Sequence, residues 1–549
     1  MRFRAPAGRS RILYLGRLAL AMAALESTLS GALAAPTAPG LLTEVQERLR
    51  ARIPPVPAGP PPRTEAGEVL HPAVGLPCFY DRRGFRPAWI GEDGRPLPAL
   101  ADLMSALRGA DAEGLEPEDY HLSEIRSRAE ALAAPAPGPE ALADLDLLAT
   151  DAFLSYAAHL STGRVDPEAL YRDCRQSTAE GDLPRDLEEA LSAGRIGPTL
   201  AAQAPLHEGY VRLRAALARY RAAAERGGWP IPSEGPTLRP GDIDPRVAEL
   251  RARLEAGEGL APLPPASPED DRQSFDPVLR AAVEAFQARH GLTVDGVVGP
   301  ATLEVLRLPI EARIRQIQIN MERWRWLPRD LAQGGNRYVM IDEAGFRLRA
   351  VQAGRPPLIL RVIVGKEYTR TPSFSNRISQ VILNPSWHVP ASIARNEIWP
   401  KAKKDPSYLA REGIQVEPDG GLRQVPGPKN ALGRIKFLFP NPYNVYLHDT
   451  PARSLFSQTR RAFSHGCIRL ENPLELADWI FAGDPDWSPE RLRAALDTGR
   501  ERAVKLPRPV PIHLTYLTAW VEDDGTVSFR RDLYGRDEPL LEVLREGAY

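Results

Sequence analysis

Apolar positions in the first half of the chain recur with the 3.6-residue period of helices. The clearest runs are Leu97–Leu107, Ala141–His159 and Tyr210–Ala224, and few alternating patterns interrupt them. Turn signals rich in glycine and proline separate the runs. The pattern predicts a mostly helical domain over residues 69–226.

A second, smaller helical unit is predicted over residues 242–308. Its most regular stretch places Leu279, Val283 and Phe286 at helical spacing, so these side chains should pack inward. Pro300 suits the first position of the last helix. An apolar stripe over residues 310–328 then predicts a long connecting helix, which we expect to join this unit to the domain that follows.

From residue 337 the pattern changes to the alternation of strands, which predicts a mostly β domain over residues 337–535. Within it, Ser392–Gln424 is predicted to be an insertion of helices and loops. Two late strands are expected to close the sheet. The predicted strands include Arg337–Asp342, Gly345–Val351, Leu358–Val364, Val510–Ala519 and Thr526–Phe529.

The N-terminal segment has the pattern of a signal peptide. Residues 1–35 combine several arginines, a short apolar core at Leu18–Leu25 and small residues at Ala32–Ala34. An uncleaved membrane anchor is the alternative interpretation. Residues 36–68 follow as a proline-rich linker, with a short helix predicted around Leu41–Leu49.

Charge and composition give no support to some classes of binding partner. The formal net charge of −1 over 549 residues gives no indication of nucleic acid or of an anionic membrane as a partner. The 55 prolines indicate linkers and loops. Of the three cysteines, only Cys78 and Cys174 can pair while leaving Cys467 free, and the sequence does not show whether they do.

Cys467 is the candidate nucleophile, because histidines lie near it in the sequence. It ends the run Ser464-His465-Gly466-Cys467. We expect the segment 463–467 to be a strand that brings His465 and Cys467 to one face. A zinc site built from two histidines and this cysteine is an alternative, although the paired spacing of structural zinc ligands is absent.

His448 is the candidate base. It lies in a run predicted to be a strand, on the same face as Tyr446. Asp449 is expected to orient a histidine, and the sequence does not say which one. Gly466 is expected to leave backbone N–H groups directed at an oxyanion.

These residues resemble the signature of the L,D-transpeptidase catalytic domain: His448, fifteen residues, then Ser464-His465-Gly466-Cys467 and Arg469. Two earlier phrases, Gly114–Tyr120 and His159–Pro167, are similar to the scaffold domain of the large periplasmic L,D-transpeptidases. Residues 282–302 resemble the peptidoglycan-binding type 1 domain. The implied fold is a multidomain α+β protein with a helical scaffold domain, a three-helix peptidoglycan-binding module and a mostly-β catalytic domain with a capping insertion.

The resemblance also implies a chemistry without cofactor or metal. Cys467 is the expected nucleophile and His448 the acid and base. Trp387 and His388 are expected in the substrate groove. Supporting roles are expected for Ser464, His465, Gly466, Tyr446, Arg469 and Asp449.

The implied substrate is periplasmic peptidoglycan. A tetrapeptide stem would donate its third residue to another stem, giving a 3-3 crosslink in cell wall biogenesis. No membrane span is expected after signal cleavage, and wall-synthesis proteins are expected partners. Three alternatives stay open: an L,D-carboxypeptidase, an enzyme that anchors a protein to peptidoglycan, and a wall-binding protein with an inactive catalytic domain.

Overall fold

The structure is a computed structural model. It describes residues 38–53, 63–64, 70, 75–132, 138–176, 181–257 and 272–546. The predicted signal peptide and the proline-rich stretch 54–62 of the predicted linker lie outside these residues. Among the described residues, no helix has the length and apolar character needed to cross a membrane.

The first domain is helical, as predicted, and it packs around one central helix, α5. Most residues of α5 between 142 and 157 are buried. Two 3₁₀ turns, Ala110–Glu113 and Pro117–Tyr120, connect the early helices. The helices are α1 Ala38–Arg52, α2 Leu76–Arg82, α3 Pro98–Arg108, α4 Leu122–Ala131, α5 Pro139–Thr162, α6 Pro167–Leu170, α7 Leu183–Ala193, α8 Ile196–Ala201 and α9 Glu208–Glu225.

The helix α1 changes the interpretation of residues 36–68. It is longer than the short helix predicted there, and it packs against α5. Arg52 of α1 forms ion pairs with Asp144 and Glu140 of α5. Residues 38–52 are therefore part of the helical domain, whereas the proline-rich stretch after them lies outside the described residues.

The small unit contains three helices, as predicted, and a long helix follows it. They are α10 Pro245–Ala256, α11 Pro277–Arg289, α12 Pro300–Leu306 and the long helix α13 Ile310–Arg325. The helix α13 leads from the module to the β domain, where Gln316 and Asn320 bond to Thr518. Its most extensive packing is against α9 of the helical domain, because Ile317 and Met321 are buried in that domain's core.

The β domain is built on a sheet that closes on itself. The strands are β2 Arg337–Asp342, β3 Arg347–Gln352, β4 Leu358–Gly365, β5 Ser373–Leu383, β9 Ile435–Leu438, β10 Leu447–His448, β11 Ala462–Ser464, β12 Ile468–Leu470 and β13 Arg502–Thr515. Their order in the sheet is β5-β13-β2-β3-β4-β12-β10-β9, and β9 pairs with β5. The strand β11 pairs with β4 beside this path.

The last strands correct the prediction that they close the sheet. Only β13 belongs to the main sheet. Ala519–Val521 (β14) and Val527–Phe529 (β15) form a separate hairpin that packs on α9, with its apolar residues in the core of the helical domain. Three helices complete the domain: α17 Pro473–Phe481, α18 Pro489–Asp497 and α19 Asp537–Glu546.

The helical and β domains share a strand. Cys174–Arg175 (β1) comes from the helical domain and pairs in parallel with the first residues of β5. Arg536, after the hairpin, forms an ion pair with Asp173 at 2.5 Å. Two contacts therefore join the β domain to the helical domain, the pairing of β1 with β5 and the ion pair of Arg536. The predicted boundary at residue 226 divides the sequence, but the two domains remain in contact across it.

The predicted insertion forms a cap with its own small core. That core contains Val389, Ile398, Ile414 and Leu422. A π-turn segment, Ala394–Ile398, interrupts its helices. The elements are β6 Trp387–His388, α14 Ala391–Ile393, α15 Trp399–Lys404, α16 Tyr408–Arg411, β7 Ile414–Val416 and β8 Leu422–Gln424, with the strand order β6-β8-β7.

Candidate active site

The candidate site lies on one face of three neighbouring strands. The strand β10 runs between β12 and β9, and His448 is paired with Arg469 on one side and with Lys436 on the other. Two residues before His448, just ahead of β10, Tyr446 lies beside Cys467 and is hydrogen-bonded to it. Laterally paired residues point to the same side of a sheet, so these five side chains share a face, which we call the site face.

The opposite face of the same strands explains why this register is fixed. Leu447, Ile468 and Phe437 are fully buried there in the core of the β domain. A slip of one residue would exchange the apolar and polar faces. The burial of three apolar side chains therefore holds the polar residues in position on the site face.

His448 is buried and held as a neutral base. Its Nδ1 donates a hydrogen bond to the backbone carbonyl of Asp449 at 2.5 Å, which leaves Nε2 as an acceptor. Burial lowers the pKa of His448 to about 3, and the charges of Arg469 and Lys436 act in the same direction. At neutral pH this imidazole can accept a proton on Nε2.

Cys467 is a thiol in the resting protein. Burial raises the pKa of Cys467, although hydrogen bonds from Tyr446 and the charges of Lys436 and Arg469 oppose that rise. A thiol beside an imidazole and a tight turn often ionises more easily than free cysteine, but here burial outweighs that effect in the resting state. In this neutral pair the Cys467 thiol holds the proton, and His448 Nε2 is the atom that can accept it.

The segment before Cys467 is a turn between β11 and β12, so the prediction of a strand over residues 463–467 is wrong. Ser464 Oγ donates to the carbonyl of Cys467 at 2.5 Å and accepts from Gly466 N at 3.1 Å. Thr371 Oγ1 donates to the carbonyl of Gly466 at 2.8 Å. These bonds fix the turn, and Gly466 has φ of 113°, in the region that favours glycine.

The same bonds change the expectation for oxyanion binding. The N–H of Gly466 is bound to Ser464 Oγ and is not directed at a substrate. The N–H of Cys467 has no acceptor among the described residues. The Tyr446 phenol lies beside the sulfur, and burial raises its pKa, so it stays protonated as a donor. The donors present are therefore Cys467 N–H and Tyr446 O–H.

His465 points away from Cys467 and toward the cap. Its Nε2 lies 2.7 Å from Oε1 of Glu397 in the π-turn segment. This contact joins the turn that carries the nucleophile to the cap. No sequence pattern selects Glu397, because it lies in a segment of mixed charge far from the motif.

Asp449 orients His448 through its backbone and not through its carboxylate. The carboxylate accepts hydrogen bonds from Arg434 N at 2.8 Å and Thr450 N at 2.7 Å, and it forms an ion pair with Arg453. These bonds fix the backbone around Asp449. Its carbonyl is thereby held against His448 Nδ1.

Trp387 and His388 lie in the cap sheet. Trp387 packs against the cap core, and His388 is exposed, with its Nδ1 3.4 Å from Glu417.

Lys436 was missed by sequence reasoning. Its signal was an alternating strand, Ile435–Leu438, with one cation among apolar residues.

The sequence left open a disulfide between Cys78 and Cys174 and a zinc site near Cys467. All three cysteines are free thiols, with Cys174 buried in β1 and Cys78 exposed on α2. Within the described ranges, no group of three or more His, Cys, Asp or Glu residues is arranged to hold a metal ion.

Three family models match separate parts of the chain. Residues 75–217 match "Scaffold domain", residues 244–306 match "Putative peptidoglycan binding domain", and residues 336–487 match "L,D-transpeptidase catalytic domain". The matches follow the order of the three folded units. Three parts of the chain therefore match a scaffold domain, a putative peptidoglycan-binding domain and an L,D-transpeptidase catalytic domain, and the predicted resemblance to these three domains is confirmed.

Individual relatives match smaller parts. A protein of Haemophilus influenzae named "Putative L,D-transpeptidase" is 30% identical over 251 residues, which are 42% of this chain and 50% of that protein. The chain thus matches about half the length of this relative.

Solved structures give weaker similarity. An L,D-transpeptidase from Mycobacterium smegmatis is 17% identical, with a TM-score of 0.18, over 33% of this chain and 58% of that one. An L,D-transpeptidase from Xylanimonas cellulosilytica is 17% identical, with a TM-score of 0.16, over 52% of this chain and 99% of that one. Scores this low carry no conclusion.

Proposed function

We propose that the protein is a periplasmic L,D-transpeptidase that forms 3-3 crosslinks between peptidoglycan stems through a thioester on Cys467. The single observation that carries this proposal is the geometry of the site face. Cys467 lies beside Tyr446, two residues along the strand from His448, whose Nε2 is the nitrogen that can accept a proton. The match to the L,D-transpeptidase catalytic domain supports the reaction class.

The first half-reaction begins from the neutral pair. His448 Nε2 takes the thiol proton as the sulfur attacks the scissile carbonyl of the donor stem. The carbonyl oxygen then carries negative charge, and Cys467 N–H and Tyr446 O–H are the donors available to it. Loss of one oxyanion donor typically costs about 10²–10³ in rate. The imidazolium returns its proton to the departing amine, and the thioester remains.

The second half-reaction reverses the proton transfer. The amine of an acceptor stem attacks the thioester carbonyl, His448 removes a proton from that amine, and the sulfur leaves as the new amide forms. The thiolate that leaves regains the proton from His448. One imidazole thus serves both half-reactions, and the carbonyl of Asp449 holds it in the required tautomer throughout.

Product analysis tests the proposal. The protein and a Cys467→Ala variant are each incubated with purified muropeptides that carry tetrapeptide stems, and the products are identified by mass spectrometry. The expected product is a dimer joined through two third-position residues, absent with the variant. Tripeptide without dimer would contradict transpeptidation and indicate an L,D-carboxypeptidase, because water would then be the acceptor of the same thioester.

A further inference from the structure

Two cations flank His448 on the site face. Lys436 and Arg469 are its lateral neighbours in β9 and β12, and neighbouring strands lie about 4.8 Å apart. Neither side chain has an ion-pair partner among the described residues. Arg469 Nε is buried without a hydrogen-bond partner, and Lys436 Nζ lies 3.8 Å from the centre of the Tyr446 ring.

The nearby acidic residues are bound elsewhere. Glu397 of the cap acts on Arg469, but its carboxylate is in contact with His465 at 2.7 Å. Glu501 acts on Lys436, but its carboxylate accepts a hydrogen bond from Ser386 N at 2.7 Å. Lys436 and Arg469 therefore place two positive charges on either side of the neutral His448 imidazole. Removing such charges from solvent without an ion-pair partner is unfavourable.

We infer that Lys436 and Arg469 bind the terminal carboxylate of the donor stem, on the residue that leaves. This inference rests on the proposed function. By standard bond lengths, that carboxylate lies about 4 Å from the scissile carbonyl carbon. If the scissile carbonyl is at Cys467 and the leaving amine is near His448, the carboxylate lies near the laterally paired residues Lys436, His448 and Arg469.

Binding there would select the donor and prepare the base. A stem whose chain continues beyond the leaving residue, or whose end is amidated, has no carboxylate at this point. A bound carboxylate also offsets the positive charges that contribute to the low pKa of His448. The donor thereby makes His448 a stronger base in the complex than in the free protein.

The test compares two donors that differ only at the C-terminus. The full chain is given a tetrapeptide stem with a free terminal carboxylate or with a carboxamide, and the rate of dimer formation is followed by mass spectrometry. We expect the carboxamide donor to react about 10- to 100-fold more slowly, in line with hydrogen bonds to charged groups. In Lys436→Gln this ratio should fall toward one, whereas Lys436→Arg should retain the preference.

The control variant is Lys505→Gln, which removes an exposed lysine of β13 and should leave the ratio unchanged. Equal wild-type rates with both donors would overturn the inference and leave the proposed function intact. An unchanged ratio in Lys436→Gln would also overturn it. No product from either donor would instead contradict the proposed function. A donor amidated on the third-residue side chain should react at the normal rate, and slowing there would assign the cations to that carboxylate.

Discussion

Charges wholly or partly removed from solvent are arranged differently in two regions of this protein. In α13, Glu322 and Arg325 are both 1% exposed and form an ion pair at 2.8 Å. Glu322 also accepts hydrogen bonds from the backbone N–H groups of Arg164 and Val165. On the site face, Lys436 and Arg469 have the same sign and flank a neutral histidine.

The difference separates a structural role from a functional one. Buried charges with complete partners hold a fold together only as a set, because removal of one leaves the other uncompensated. Partly buried charges of one sign without an ion-pair partner destabilise the free protein. An anion beside them offsets this cost, either the Cys467 thiolate or a bound carboxylate. The α13 cluster thus fixes α13 to the helical domain, whereas the site face is arranged for an anion.

The largest expected effect is on activity, from Cys467→Ala. Loss of the nucleophile should lower the rate of dimer formation by about 10⁴-fold or more. Stability should change little, because the hydrogen bonds of a thiol are weak; the one to the carbonyl of Asn444 is 3.8 Å long. Thermal unfolding measured beside the activity assay checks both parts. A variant that loses activity and stability together would contradict a purely chemical role.

Next in size is the effect of Glu322→Ala on stability. The change leaves Arg325 buried without its carboxylate and leaves two backbone N–H groups without an acceptor. We expect a loss of about 3–5 kcal/mol in the free energy of unfolding. Urea denaturation measures it. Glu208→Ala, at an exposed ion pair of α9, is the matched control and should cost less than about 1 kcal/mol.

A smaller effect is expected on the pH dependence of stability. The pKa of His448 is about 3 in the folded protein and about 6.5 when unfolded. The unfolded state therefore binds more protons between these values. His448 carries no penalty above pH 6.5, and it lowers stability by up to about 1.4 kcal/mol per pH unit as the pH falls from 6.5 toward 3.

Urea denaturation at pH 7.5 and 5.5 tests this sign. His448→Gln should lose less stability over this interval than the wild type. His388→Gln is the control, because His388 is exposed in the cap. Identical pH dependence in the wild type and His448→Gln would show that His448 is not held neutral by burial.

The smallest expected effect has the opposite sign from that of Glu322→Ala. Lys436→Met removes a partly buried cation that has no carboxylate partner, so we expect unfolding free energy to stay constant or to rise by up to about 1 kcal/mol. Activity should fall in the same variant. A clear loss of stability would mean that Lys436 supports the fold, and the contrast between the two regions would not hold.

Sequence patterns were enough to predict the three folded units and to select the motif around Cys467, because helical and strand periods and short motifs are local properties of the chain. The pairing of β1 with β5 was not predictable, because two residues carry no periodic signal. The separate β14–β15 hairpin was also missed, since alternation predicts a strand but not the sheet that it joins.

The site shows the same limit. Tyr446 and His448 were correctly assigned to one face, because that follows from alternation along one strand, and their rings lie 5.6 Å apart. The place of Lys436 depends on the register between β9 and β10, which requires the tertiary structure. The contact between His465 and Glu397 depends likewise on how the cap folds back.

The most direct measurement is intact-protein mass spectrometry after brief incubation with a tetrapeptide donor and no acceptor. The proposed mechanism predicts a mass increase equal to the donor minus its terminal amino acid, located on the peptide that contains Cys467 and lost on treatment with hydroxylamine. Cys467→Ala should show no adduct. An adduct on another residue, or dimer formation by the Cys467→Ala variant, would contradict the assignment of Cys467 as the nucleophile.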